Sequence, residues 1–406
     1  MGGKIINDPV QGFVSIPEGL LLDILQHPFF QRLNRVRQLG LSYLVYPGAQ
    51  HTRLLHSVGA MNLMREAVGV LREKGHDITQ EEEEAVCATM LLHDVGHAPF
   101  SHVLEHLFAK DVSHEDISLL MMKRMNETFG GRLDTCISIF ENTYPKKFLH
   151  QLVSSQLDMD RLDYLNRDSF FTGVVEGAVG AERIIKMLNV WNDNLCVESK
   201  GVYSIEKFLI ARRIMYWQVY YHKTSVAAER VLVNLLMRAR ELVTNGQKLS
   251  ATPWFSYFLS NPASMSDFVR GKALDNYALF DDNDIQSIIK LWQNSDDVVL
   301  STLCRSLSER KLFKVMVRNS PLEFELKQNL EQSYVNSLNV SKADAHYFYS
   351  EVEVSTNTYS HRRSNTPIYI MYRDGHVEDI ANSSEILDIG MLSREEKKYY
   401  LCYFKL

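Results

Sequence analysis

The chain has 406 residues, 45% hydrophobic and 23% charged, with a formal net charge of −6. This excludes collagen-like, low-complexity and wholly disordered classes, because the apolar share can build a core and no stretch is dominated by one charge sign. An acidic chain has no general attraction for nucleic-acid backbones, so bulk nucleic-acid binding is the poorer expectation and polyphosphate recognition would need a local basic pocket.

Gly12–Ile16 reads as a short strand. From Leu20 to Leu338 apolar residues recur at three- and four-residue spacing, as in Leu63, Ala67, Val70 and Leu71, which predicts mostly helix. Asp77 and Thr79 precede the Glu81–Glu84 run, a helix start whose acidic residues are expected to form a solvated first turn. Asn194–Ser204 resembles a hairpin inserted between helices. Near Ala345 the character changes to Tyr, Val and Ile with partial alternation and an Asp374-Gly375 turn, and Leu312–Val317 suits a first strand of the same lobe. The expected fold is mainly α: a helical core over residues 1–340 and a small mixed α/β lobe over 341–406. Five dispersed cysteines with no CxxC pair suit a reducing compartment. With no signal-like start and no run of about 18 apolar residues, a cytoplasmic protein without a membrane partner is expected.

Histidines cluster: eight of the 14 lie between His51 and His114. A lone buried histidine is more often a satisfied core residue, and His93-Asp94 alone could be an ion pair at a helix end. Here, however, His93-Asp94 follows an apolar helix and is joined by His56 and Asp160, giving N and O donors suited to a divalent Fe, Mn or Zn ion with positions left open. Asp160, Tyr164 and Asp168 stand at i, i+4 and i+8 with Arg161 beside them, so one helix stripe spans about 12 Å between two carboxylates. Arg212, Tyr216 and Tyr220 show the same period, and Arg53 precedes His56 by three residues. Each arginine alone would more readily be read as a surface ion pair.

The order His56, His93-Asp94, Asp160 resembles the H…HD…D pattern of the HD-domain phosphohydrolases. RQLGLSYLVYPGAQHTRLLHSVG, LLHDVGHAPFSH, HED and LDMDRLDYLNRDSFFTGV further resemble the deoxynucleoside triphosphate triphosphohydrolase branch, over Lys4 to about Val317. Vertebrate members of that branch join a sterile alpha motif to the HD domain, and no counterpart is expected here. The resemblance implies an HD-domain core with a metal site within residues 50–225, in which His56, His93, Asp94 and Asp160 bind a divalent transition metal. It assigns Arg53, His102, Arg161 and Arg212 to the triphosphate, which Mg would accompany. Asp168 takes the sugar 3′-hydroxyl, with Tyr164 on the same stripe, and Gln38, Leu39 and Tyr220 pack on a deoxyribose. His97, His102 and His114, the last next to Glu115, match the catalytic histidines. Metal-activated water would attack the α-phosphorus, and His102 or His114 would protonate the leaving 5′-oxygen.

The same branch implies a homo-oligomer, a tetramer, with an activating nucleotide between subunits. Lys4, Asn7, Gln31, Lys223, Arg310 and Lys314 match positions of such a site. Its guanine-reading pattern has an acidic residue where this chain has Gln26 and a basic one where it has Asn34. An amide lacks the paired acceptors of a carboxylate, which leaves activation by another nucleotide or constitutive assembly. Two other functions stay open: an HD phosphohydrolase acting on a different nucleotide, and a catalytically silent nucleotide sensor or nucleic-acid-binding HD protein.

Overall fold

Asp8 and Gly12 make the first reversal of the chain. The Asp8 carboxylate accepts the backbone N–H groups of Val10 and Gln11 at 2.7 and 2.9 Å, and Gly12 adopts a φ of 74°. Strand β1 (Lys4–Asp8) can therefore return as β2 (Gly12–Ile16), the strand expected from the sequence. Val14 and Ile16 are buried, whereas Ile5 and Phe13 face solvent. The computed structural model describes residues 3–100, 104, 107–260, 262–321, 323–356, 359, 367–384 and 395–406.

Between Leu20 and Leu338 helices dominate, as the spacing predicts. The central pair is Arg53–Glu73, buried along most of its length, and Met159–Thr172, which packs against it. Asp158 caps the second helix by accepting the Arg161 N–H at 2.8 Å, and Gly173 stops it in the left-handed region at a φ of 77°. Helix Gln80–Leu92 opens with a capping box in which Thr79 and Glu82 satisfy each other's backbone N–H. Glu82 is buried and also accepts the Tyr144 hydroxyl and the Lys146 ammonium, each at 2.8 Å. The acidic run is thus not wholly solvated, because its second residue anchors a neighbouring segment.

Helix Val202–Met215 passes into a π-helical turn, Tyr216–Tyr220, closed by the Tyr221 N–H on the Tyr216 carbonyl at 2.7 Å. The regular stripe expected for Arg212, Tyr216 and Tyr220 is broken there, since a π turn bonds i to i+5. Helix Lys223–Thr244 follows, and shorter helices from Pro253 to Ser308 build the rest of the core.

Two sheets close the fold. β3 (Leu188–Trp191) and β4 (Asn194–Glu198) form a hairpin whose turn residues, Asn192 and Asp193, both have positive φ. The hairpin therefore begins six residues before the expected Asn194, and Val202 onward is helix. Asn and Asp tolerate the left-handed region, so the turn settles on them. β4 pairs in parallel with β7 (Tyr369–Met371), which pairs with β8 (Val377–Asp379). In the second sheet β9 (Glu396–Tyr403) lies between β5 (Lys314–Arg318) and β6 (Tyr349–Thr356), antiparallel to both. Both sheets draw strands from either side of residue 340. All five cysteines are buried thiols, and no described helix is long and apolar enough to cross a membrane.

Candidate active site

His56 lies one turn into helix Arg53–Glu73, His93 follows the end of helix Gln80–Leu92, and Asp160 is in the first turn of helix Met159–Thr172. Three elements thus bring one donor atom each into a group within 4.8 Å. Hydrogen bonds on the far side of each ring decide which nitrogen points inward. His93 Nδ1 is 2.7 Å from the Met90 carbonyl, which can only accept, so that nitrogen carries the proton. His56 Nδ1 is likewise held by Asp163 Oδ2 at 2.9 Å. Both Nε2 atoms are buried and make no hydrogen bond, although Asp160 Oδ1 lies 3.0 Å from the first and 3.6 Å from the second. Lone pairs facing a carboxylate oxygen fit a cation between them, and ring orientation by an outer acceptor is how histidine ligands are normally fixed.

Burial alone would lower the His56 imidazole, but the Asp160 and Asp163 carboxylates outweigh it and, without a cation between the donors, raise it to about 10, so a proton on Nε2 takes the place that a metal ion would fill. Burial would raise the Asp160 carboxyl, and the two imidazoles hold it far below the usual carboxylate range instead. Asp94 stands at the edge of the group. Its Oδ2 is ion-paired with Arg53, and its Oδ1 lies 3.4 Å from His93 Nε2 and 3.2 Å from His97 Nε2. Burial and the neighbouring Arg53 hold the His97 imidazole well below its ordinary value. The His97 ring stacks on His114 at 3.9 Å, and His114 Nε2 is 3.3 Å from Glu115, whose side chain is 61% exposed.

The loop after His93 is held from beneath. Arg32 is fully buried, donating to the carbonyls of Phe280 at 2.7 Å and His97 at 2.9 Å, with its guanidinium over the Tyr277 ring. The Tyr277 hydroxyl donates to the Gly96 carbonyl at 2.8 Å. On the other side Gly96 touches helix His114–Thr128 so closely that a Cβ would sit 2.3 Å from the His114 carbonyl oxygen.

Cations and a second carboxylate flank the metal group. Arg161 pairs with Asp158, and Arg212 donates to Gln156 at 3.2 Å, while the Nε of each arginine is buried without a hydrogen-bond partner. Both act electrostatically on Tyr164. Two turns along from Asp160, buried Asp168 binds the Tyr220 hydroxyl at 2.9 Å and His51 Nε2 at 2.7 Å. Gln38 joins this end through its N–H on the His51 carbonyl, its side-chain oxygen being buried without a hydrogen bond, and Leu39 packs on the core beside it.

The remaining expected residues are more dispersed. Lys4 and Asn7 lie on β1, exposed, and Gln31 donates to the Leu25 carbonyl. Lys223 begins its helix, Arg310 donates to the Leu44 carbonyl, and Lys314 begins β5. His102 falls outside the described residues. Sequence reasoning gave no role to His51, Asp163, Arg167 or Arg32. Asp163 had a signal, its i+3 position after Asp160, whereas Arg32 acts on residues more than sixty positions away.

Residues 53–168 match the HD domain model, and residues 179–254 match the HD associated region. A crystal structure of a phosphohydrolase from Bacteroides thetaiotaomicron is 52% identical with a TM-score of 0.96, covering 100% of both chains. The Bacillus subtilis protein YwfO is 31% identical over 98% of this chain and 92% of its own. Human deoxynucleoside triphosphate triphosphohydrolase SAMHD1 is 28% identical over 59% of this chain, a match that spans 45% of the human enzyme. The inward-facing His56, His93 and Asp160 all fall inside the matched HD segment, and the chain belongs to the HD-domain family of phosphohydrolases.

Proposed function

We propose that the protein hydrolyses deoxynucleoside triphosphates to the deoxynucleoside and inorganic triphosphate. The observation that carries this reading is one helix that presents Asp160 to the metal group and, two turns on, a buried Asp168 already oriented by Tyr220 and His51. A divalent transition ion held by His56, His93, Asp94 and Asp160 would supply Lewis-acid polarisation of a phosphoryl oxygen and of water. The unpartnered Nε groups of Arg161 and Arg212, together with Arg53, give a triphosphate charge-assisted donors where its charge develops. In its protonated form His114, which stacks on His97 beside Glu115, would give its proton to the leaving 5′-oxygen, with His102 as the other candidate. Asp168 has acceptor capacity left on each oxygen for the 3′-hydroxyl, while Tyr220, Leu39 and Gln38 close on the sugar. The exposed cations Lys4, Lys223 and Lys314 suit an activating nucleotide shared between copies of a homo-oligomer.

The test is purified protein with Mn²⁺ and dATP or dGTP, separately and mixed, with products resolved by anion exchange. Inorganic triphosphate and deoxynucleoside are expected, and both should disappear in a His93→Ala, Asp94→Ala double variant. If no mixture yields triphosphate, the reading is wrong. Asp168→Asn is expected to lower kcat/KM for dATP by about 10–100-fold, the worth of one hydrogen bond to a charged group. An unchanged kcat/KM would remove Asp168 from the sugar site.

A further inference from the structure

The outer nitrogen of His56 begins a buried chain of charges that ends in the N-terminal hairpin. Asp163 Oδ2 holds His56 Nδ1 at 2.9 Å and also accepts Arg167 Nε at 2.7 Å, while Asp163 Oδ1 accepts Arg167 Nη2 at 2.9 Å. On its far side Arg167 Nη2 is ion-paired with Asp8 Oδ2 at 2.9 Å. The side chains of His56, Asp163, Arg167 and Asp8 are all 0% exposed. The hairpin makes a second contact, from Gln11 Nε2 to Asp163 Oδ1 at 3.1 Å. Helix Arg53–Glu73 makes room for this chain at Gly59, where a Cβ would lie 2.0 Å from Arg167 Nη2 and 2.3 Å from Asp163 Oδ1.

We propose that Asp8 is a positioning residue of the metal centre: through Arg167 and Asp163 it fixes the His56 imidazole, so that the seating of the N-terminal hairpin sets how tightly the metal is held. This inference rests on the metal-centre reading above. Arg167 is shared between two carboxylates. Without Asp8, its whole charge falls on Asp163, which is drawn toward the guanidinium and away from the imidazole N–H, and a metal ligand whose outer hydrogen bond weakens is a poorer and less ordered donor. Asp8 is suited to the task because its other oxygen is occupied by the hairpin's own turn, at the Val10 and Gln11 N–H groups. One carboxylate therefore joins the conformation of the hairpin to the charge chain.

Mn²⁺ alone is the probe, with free ion followed by electron paramagnetic resonance during titration of metal-free wild type, Asp8→Asn and Gln11→Ala. Asp8→Asn should raise the Mn²⁺ Kd by about 10-fold, the lower end of the cost of losing a partner that touches a ligand directly, because Asp8 acts through Arg167 and Asp163. Gln11→Ala, a substitution in a half-buried turn, should raise it by a smaller factor of about 2–5, scaled from the same range because only one donor to Asp163 is lost. Gln11→Ala decides the matter if Asp8→Asn does not fold. Thermal melts with and without Mn²⁺ separate positioning from scaffolding, because a positioning role shrinks the Mn²⁺-induced rise in Tm. Wild-type Mn²⁺ affinity in both variants, with any fall in Tm equal in the two conditions, would overturn the proposal. Wild type that binds no Mn²⁺ would overturn the metal centre itself and this coupling with it, a failure visible before any variant is examined.

Discussion

Asp160→Ala is expected to lose the bound transition metal and to hydrolyse nucleotide about 10³-fold more slowly than wild type. The magnitude follows from the several kcal/mol that a catalytic metal supplies to a phosphoryl transition state, at about 1.4 kcal/mol for each tenfold in rate. Asp160 contributes the oxygen that the two inward-facing Nε2 atoms share, and its side chain is 26% exposed, the most accessible of the three donors. Removing it leaves the Asp158 cap and the Asp163–Arg167 pair in place, so the helix should persist. Metal content by mass spectrometry, circular dichroism and product release would be measured together. A variant that keeps its metal and its rate would dissolve the three-residue group as a metal site.

Arg32→Met should cost about 3–5 kcal/mol of stability. Its guanidinium satisfies the Phe280 and His97 carbonyls in a region with no solvent access, and each buried acceptor left unpaired costs about 1–3 kcal/mol. The methionine would also leave a gap over the Tyr277 ring. Burial pulls the Arg32 guanidinium below its ordinary value, and the nearby Asp281 and Asp282 work against that fall, so the charge is kept without a direct carboxylate partner among the described residues. Chemical denaturation should report the loss, and the 95–97 turn should loosen in hydrogen exchange before the rest of the fold. A change under about 1 kcal/mol would mean that water replaces the guanidinium, since water bridging is nearly as good as a direct hydrogen bond.

Local physics was legible in the sequence wherever the decisive partner is a few residues away. Thr79 ahead of the Glu81–Glu84 run announces a helix start, and the period of three and four carries most of the helical core; Asp158 and Gly173, which bracket another helix, are local signals of the same kind. Within the site, the pair His93-Asp94 and the run Asp160 to Asp168 were visible for the same reason. What stayed hidden depends on distant chain meeting. Asp8 and Arg167 are about 160 positions apart, and Arg32 reads as an ordinary surface arginine until Phe280 is folded over it. The π turn at Tyr216–Tyr220 was invisible because helical periodicity carries no sign of one extra residue in a turn. The parallel pairing of β4 with β7 joins residues about 170 positions apart, and no local pattern encodes such a meeting.

The strand order β5-β9-β6 has a consequence for synthesis. A ribosome makes β5 and β6 long before β9, yet neither outer strand pairs with the other, because the middle place belongs to residues 396–403. During elongation Met316 and Val317 of β5 and the apolar positions of β6 stand as open strand edges, the feature most prone to pairing with a neighbouring nascent chain. The second sheet can close only after residue 403 has left the exit tunnel, by which time the matched HD segment, residues 53–168, has long emerged, so the helical part can begin to fold before this sheet does.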